Sequence, residues 1–265
     1  MSVWALMLEY EGTPYVGWQR QTNGLSVQEV LETAAARLAG GAPVSTVVAG
    51  RTDAGVHAEA QVVQLVLPTV LSAERLREAL NYHLKPHPVA VLQAAPAPEG
   101  WNARFSARGR AYRYRILNRR ARPALDAGRV WHVPAPLDAG AMHEAAQTLL
   151  GRHDFTSFRA AGCQANSPLR TLDRLDVNRY GETIEVAAEA RSFLHHQVRN
   201  MVGTLRLVGD GNWRAADVEV ALAARDRSAA GPTAPAEGLF LTGVKYPADP
   251  FTSAAEREKT AQSTR

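Results

Sequence analysis

What most constrains this chain is a succession of periodic segments that occurs twice. Residues 3–10 form an apolar run closed by Glu11, Gly12, Thr13 and Pro14, a buried strand followed by a turn. Ser26, Val27, Gln28 and Glu29 have the form of a capping box, and Val27, Val30, Leu31, Ala34, Ala35 and Leu38 keep helical spacing until Gly40 and Gly41 interrupt it. Strands are expected over 44–48 and 61–67, a helix over 72–82 and an apolar strand over 89–94. This β-α-β-β-α-β order is the split βαβ pattern. After a Pro- and Gly-containing stretch at 96–100 it returns: a strand over 110–118, a helix over 138–150, strands over 169–178 and 183–190, helices over 194–208 and 215–224, and a last strand over 239–246. No identity links the two halves, so only the pattern repeats. The expected fold is α+β, with two ferredoxin-like (RRM-like) domains at 1–106 and 107–248 whose antiparallel sheets join around a central basic cleft. Residues 249–265, rich in Ser, Thr, Ala, Glu and Lys without periodicity, are expected to be a disordered tail.

The net charge of +4 would mean little if the basic residues were evenly spread. From Arg104 to Arg122, however, eight arginines occur with no acidic residue, interleaved with Phe105, Tyr112 and Tyr114. Arginine matches phosphate oxygens and stacks on bases, so the cluster points to nucleic acid; the alternative is a solvated cationic face. A single cysteine, Cys163, excludes an internal disulfide framework and a Cys-based zinc site. No apolar run approaches the roughly 20 residues of a membrane span, and the start lacks a charged segment followed by an apolar core, so a cytoplasmic protein with no membrane partner is expected.

Between the strands at 44–48 and 61–67 lies a ten-residue link, residues 49–58, that carries Gly50, Arg51, Asp53, Gly55 and His57. It reads either as a wide hairpin loop in which Asp53 caps its own backbone or as a loop presenting reactive side chains. In the helix at 194–208, Leu194, Val198, Met201, Val202, Leu205 and Val208 form an apolar stripe with Arg199 on its margin. There Arg199 either snorkels to solvent or needs a carboxylate partner, for which Asp53 is the candidate. His195 and His196, with His57, His83, His87 and Asp53, raise the question of a metal. Adjacent helical positions point about 100° apart and no H-E-x-x-H spacing exists, so no metal site is expected. Tyr112 and Tyr114 share one strand face, as core or as site, opposite Ala111, Arg113 and Arg115. Tyr15 and Trp18, beside Gln19 and Arg20, look exposed.

Several of these strings resemble the TruA family of tRNA pseudouridine synthases: YVGWQRQ at 15–21, AGRTDAGVHA at 49–58, the segments 103–106 and 154–159, FLHHQVRN at 193–200 and EGL at 237–239. The resemblance runs in register from about residue 10 to 246. It implies a homodimeric isomerase without cofactor or metal that converts uridine to pseudouridine at positions 38, 39 and 40 of the tRNA anticodon stem-loop. It further implies Asp53 as nucleophile, Arg51 for flipping the base, Arg199 as the partner of Asp53, Tyr112 packing on the target base and Leu239 walling the pocket. Contacts to tRNA would come from Trp101, Asn102, Ala103, Arg104, Phe105 and Arg120, and from Gly162, Cys163, Gln164, Ala165 and Asn166. Two other readings stand beside it: an RNA-binding protein without catalysis, which has no use for an acid in a phosphate-binding groove, and a metal-dependent RNA hydrolase using Asp53, His57 and His195.

Overall fold

The computed structural model describes residues 2–252, so residues 253–265 of the expected tail lie outside the described residues. In chain order the elements are β1 (Ser2–Tyr10), α1 (Val27–Leu38), β2 (Thr46–Val48), β3 (His57–Leu67), α2 (Ala73–Leu84), β4 (Val89–Pro96), β5 (Gly109–Leu117), β6 (Trp131–His132), α3 (Ala139–Gln147), β7 (Gly151–Asp154), β8 (Leu169–Tyr180), β9 (Thr183–Ala190), α4 (Gln197–Gly209), α5 (Ala215–Ala224) and β10 (Leu239–Lys245). Among the described residues all ten strands enter a single sheet in the order β4-β1-β3-β10-β5-β9-β8-β7, with β2 pairing β3 and β6 pairing β5. Pairing is antiparallel except at β5–β6 and at β10–β3. The β10–β3 pairing joins the two halves through Phe240 opposite His57 and Leu241 opposite Ala58.

Each half has its own core on the helical face of the sheet. Trp4, Leu6, Leu8, Leu31, Leu65, Leu76 and Leu80 close the first against α1 and α2. Ile116, Leu149, Phe155, Phe158, Leu175, Val186, Met201 and Leu205 close the second against α3 and α4. Tyr112 packs against both cores, and β10 contributes Leu239 to the second and Leu241 to the first. Period-two burial is what carries these choices: β9 alternates buried and half-buried residues along its whole length. Among the described residues no helix is long and apolar enough to cross a membrane.

Of the boundaries that differ from the sequence reading, three bear on the loop at 49–58 and on Arg199. Strand β2 starts at Thr46 rather than at residue 44, and β3 reaches back to His57, so the last two residues of the Gly-, Arg- and Asp-containing link are strand. Helix α4 starts at Gln197 rather than at residue 194. The Gln197 side chain accepts the Leu194 N–H at 2.8 Å and His196 takes a left-handed backbone with φ 62°, which makes 194–196 a turn. Leu194 is buried all the same, so the apolar period continues past the true helix start. The short strands β6 and β7 had no counterpart in the sequence reading, because segments of two and four residues are too short to show a period.

Candidate active site

The loop between β2 and β3 is held from below. Tyr10 Oη and Thr52 Oγ1 are 2.7 Å apart, and the Gln61 amide donates to Gly50 O at 2.8 Å and to the Tyr10 hydroxyl at 3.3 Å. The Trp18 N–H donates to Thr52 O at 3.0 Å, and Gly17 forms a bridge with Asp53. Gly17 has φ +107°, and a Cβ there would stand 2.7 Å from Thr52 O, so no other residue lets this segment lie so close to the loop. Tyr15 and Trp18 are buried, not exposed as their polar neighbours suggested; they are struts beneath the loop. The turn itself is closed by backbone, Val56 N–H to Asp53 O at 3.1 Å, and the Asp53 carboxylate faces elsewhere.

His57 ties the loop to two other segments. Its Nδ1 accepts the Gly12 N–H at 2.9 Å, which assigns the ring proton to Nε2, 3.2 Å from the Glu237 carbonyl. The ring stacks on Phe240 with centroids 4.6 Å apart. Burial pushes its pKa down, against the opposing pull of Glu11.

Four groups from the C-terminal half converge on Asp53. Arg199 Nη1 is 3.6 Å from Oδ2, with its Nε fixed by Ala234 O at 2.8 Å. His196 Nε2 is 3.5 Å from Oδ2 and His195 Nε2 is 3.3 Å from Oδ1. The argument that neighbouring histidines diverge by about 100° therefore does not apply: both precede α4, their ring centroids are 4.0 Å apart, and their Nε2 atoms meet on one carboxylate. Burial lowers the pKa of His196, opposed by Asp53 and reinforced by His195 and Arg199. The fourth group is Tyr112, whose phenol is pushed up by burial and then by the Asp53 charge, and whose ring meets Phe193 edge-on at 5.3 Å. Leu239 opens β10, buried opposite Tyr114 and one residue ahead of the Phe240–His57 pair. Tyr114 is wholly core, its hydroxyl donating to Pro235 O at 2.7 Å, so the two tyrosines of one strand face divide between core and site.

A braced loop that presents one carboxylate to an arginine, two imidazoles and a phenol can carry nucleophilic chemistry. Comparison with known proteins says which family does so. A family model described as tRNA pseudouridine synthase matches residues 6–106 and 145–247. The chain belongs to the tRNA pseudouridine synthase family. It is 73% identical over 252 residues to the tRNA pseudouridine synthase A of Acidiphilium cryptum, covering 95% of this chain and 99% of the relative. To that of Rhodospirillum centenum it is 62% identical over 246 residues, covering 93% and 100%. To that of Gluconobacter oxydans it is 54% identical over 250 residues, covering 94% and 91%. Membership makes the chain an isomerase.

The remaining positions singled out by the family resemblance are spread over the molecule. Arg51 is exposed on the loop, two residues before Asp53. In the 101–105 loop only Arg104 and Phe105 stand out, with the Arg104 guanidinium 5.7 Å from the Phe105 ring centroid. The others anchor it: Trp101 packs on Tyr246, Asn102 Oδ1 accepts the N–H groups of Arg104 and Phe105, and Ala103 O accepts the Tyr246 hydroxyl at 2.6 Å. The loop holding Gly162, Cys163, Gln164, Ala165 and Asn166 leaves from Ala160, whose N–H donates to His195 O at 2.9 Å, so it starts beside the site. Arg120 does not join them. It is exposed beyond the far end of β5, and from Tyr112 to Leu117 alone the strand runs about 17 Å at roughly 3.3 Å per residue.

Two features went unread in the sequence. The arginine cluster is split by strand alternation: Arg113 pairs with Glu59 and Glu185, Arg115 with Asp126 and Arg119 with Glu182, so it is not one free basic surface. Arg110, on the Tyr112 face, donates to Ala49 O at 2.5 Å, Arg104 O at 3.1 Å and Arg191 O at 2.8 Å, and thereby ties three segments around the site. Its two-residue spacing from Tyr112 was the available signal.

Proposed function

We propose that the chain converts uridine to pseudouridine at positions 38, 39 and 40 of the tRNA anticodon stem-loop, with Asp53 as nucleophile. The observation that carries this reading is the convergence of Arg199, Tyr112 and two histidines on the one carboxylate of a rigidly braced loop. A uridine in that stem-loop is stacked or paired and must be swung out to be reached, which costs a few kcal/mol. Exposed Arg51 at the loop's edge would fill the vacated place, while Tyr112 packs on the extruded base and Leu239 walls the pocket. Burial and the Asp53 charge both disfavour the phenolate, so Tyr112 offers the base a neutral ring. Attack by the carboxylate on the nucleoside lets the N1–C1′ bond break; the uracil turns, C5 bonds to C1′, the ester bond to Asp53 breaks to free the carboxylate, the C5 proton leaves and N1 gains one. Atoms and electrons balance without a redox partner. The tRNA body would lie along the exposed pair Arg104 and Phe105, one a phosphate ligand and the other a stacking platform. The two halves would act as ferredoxin-like domains around a basic cleft, and a homodimer would supply the reach to Arg120 that one subunit lacks.

The deciding experiment is Asp53→Asn. The amide keeps the shape and cannot act as the nucleophile, so pseudouridine formation mapped in tRNA should disappear while tRNA binding and thermal stability persist. Isomerisation above a few per cent of wild type would overturn the assignment.

A further inference from the structure

Asp53, His195 and His196 present three donor atoms that all lie within 4.8 Å of one another. We infer that they form a zinc site which, when filled, takes the nucleophile out of the reaction. Two donors bonded at about 2.0–2.1 Å to a tetrahedral ion stand about 3.3 Å apart. His195 Nε2 to Oδ1 is 3.3 Å and His196 Nε2 to Oδ2 is 3.5 Å, with all three donors within 4.8 Å, so capture of an ion requires the carboxylate and the rings to turn until one oxygen and both nitrogens close to that spacing.

The donors are also held in place before any ion arrives. The left-handed backbone at His196, the Gln197 cap on Leu194 N–H and the Ala160 N–H bond to His195 O fix the turn that carries both imidazoles. Their side chains are 44% and 28% exposed, and that of Asp53 is 24%, so an ion can enter from solvent and keep a water at its fourth position. Two imidazole nitrogens and one carboxylate with no thiolate suit Zn2+, whereas Mg2+ demands an octahedron of oxygens; the magnesium that accompanies folded tRNA is therefore no competitor.

Positive charge opposes the ion, from Arg199 first and from Arg227 on the His196 side. Arg199 Nη1 lies 3.6 Å from Oδ2 and repels a cation at the same carboxylate. Zinc is thus an inhibitor held against the site's own arginine, not a resident cofactor. Only the inhibitory effect rests on Asp53 being the nucleophile; the binding does not.

The test uses metal-free full-length protein without tRNA, titrated with Zn2+ in competition with a chromophoric chelator. One ion should bind per chain. Asp53→Asn, His195→Ala and His196→Ala should each weaken it by about tenfold or more, and Arg199→Gln should tighten it severalfold. Circular dichroism and tRNA binding serve as folding controls. With wild-type protein, isomerisation should fall with a midpoint at the zinc affinity measured on protein alone, return on addition of EDTA, and be insensitive to millimolar Mg2+. Zinc affinity unchanged in the His195→Ala/His196→Ala double variant, or weakened in Arg199→Gln, overturns the site. Isomerisation that persists with zinc bound overturns the blockade, and Asp53→Asn then decides independently whether the nucleophile assignment fails with it.

Discussion

The N-terminal half builds the loop that carries Asp53 and braces it with neutral groups: Tyr10, Trp18, Gln61 and the neutral His57. The C-terminal half builds none of that loop, yet it supplies Arg199, His195, His196 and Tyr112, the four groups that converge on the carboxylate. The halves also differ in how they hold their parts. The first does so through a mixture of side-chain and backbone hydrogen bonds into a glycine-containing loop, and the second through side chains projecting from a helix start and a strand. The site is consequently a property of the seam, and the seam depends on β10, which pairs with β3 over two residue pairs only.

The largest expected effect tests whether the halves are energetically one body. Gly203 in α4 faces the Pro232 carbonyl, 1.7 Å from where a Cβ would sit, and the adjoining Ala234 carbonyl anchors Arg199. Gly203→Ala should force the two backbones apart and destabilise the protein by about 3 kcal/mol, measured by urea unfolding. Because one sheet spans both halves, hydrogen exchange should rise in β1 and β3 as well as in β8 and β9. Full protection retained in β1 and β3 would show the N-terminal half to be independent.

Next comes Arg110→Met, which leaves the carbonyls of Ala49, Arg104 and Arg191 without their shared donor. Bonds from a charged donor contribute about 1.5–3 kcal/mol each before relaxation and water replacement reduce the loss. The expected result is kcat down by about tenfold or more, since the loop is left misplaced, with tRNA affinity changed far less. A rise in KM with kcat intact would mean that Arg110 serves tRNA binding and not the alignment of the two halves.

A smaller effect is expected in the pH dependence of stability. His57 has a folded-state pKa below its unfolded value of about 6.5, so the unfolded chain binds the extra proton more readily. Its contribution is whole above that pH and is lost as the solution is acidified through it towards the folded pKa. The urea midpoint should therefore drop between about pH 7.5 and 5.5, and His57→Gln, which still offers a donor and an acceptor, should drop less. Equal losses in both proteins would place the titration elsewhere, His196 having a shift of the same sign.

The smallest effect is at Arg104. Arg104→Ala should weaken tRNA binding by less than tenfold and reduce the salt slope by about one charge. Arg120→Ala, far along β5, should do less. Equal effects would show that bound tRNA reaches the distal end of the C-terminal half, directly or across a second subunit.

What could be read from the sequence was whatever depends on near neighbours. Ser26 caps α1 through Glu29 N–H at 3.2 Å, and the β5 alternation separates Tyr112 and Tyr114 from Arg113 and Arg115, because a helix cap and a strand period are settled within a few residues. The 49–58 link stood out by composition for the same local reason. The burial of Tyr15 and Trp18 was missed, because their polar neighbours say nothing of the loop that packs above them. The turn at 194–196 was missed because buried Leu194 extends the apolar period beyond the helix, while the Gln197 cap and the left-handed His196 leave no periodic mark. Whether Arg110 faces solvent or three carbonyls, and whether two histidines diverge or meet on Asp53, is decided only when β10 closes the sheet. Apart from the short span from Arg110 to Arg104, these last contacts join segments far apart in the chain, and packing, not pattern, sets the distance between them.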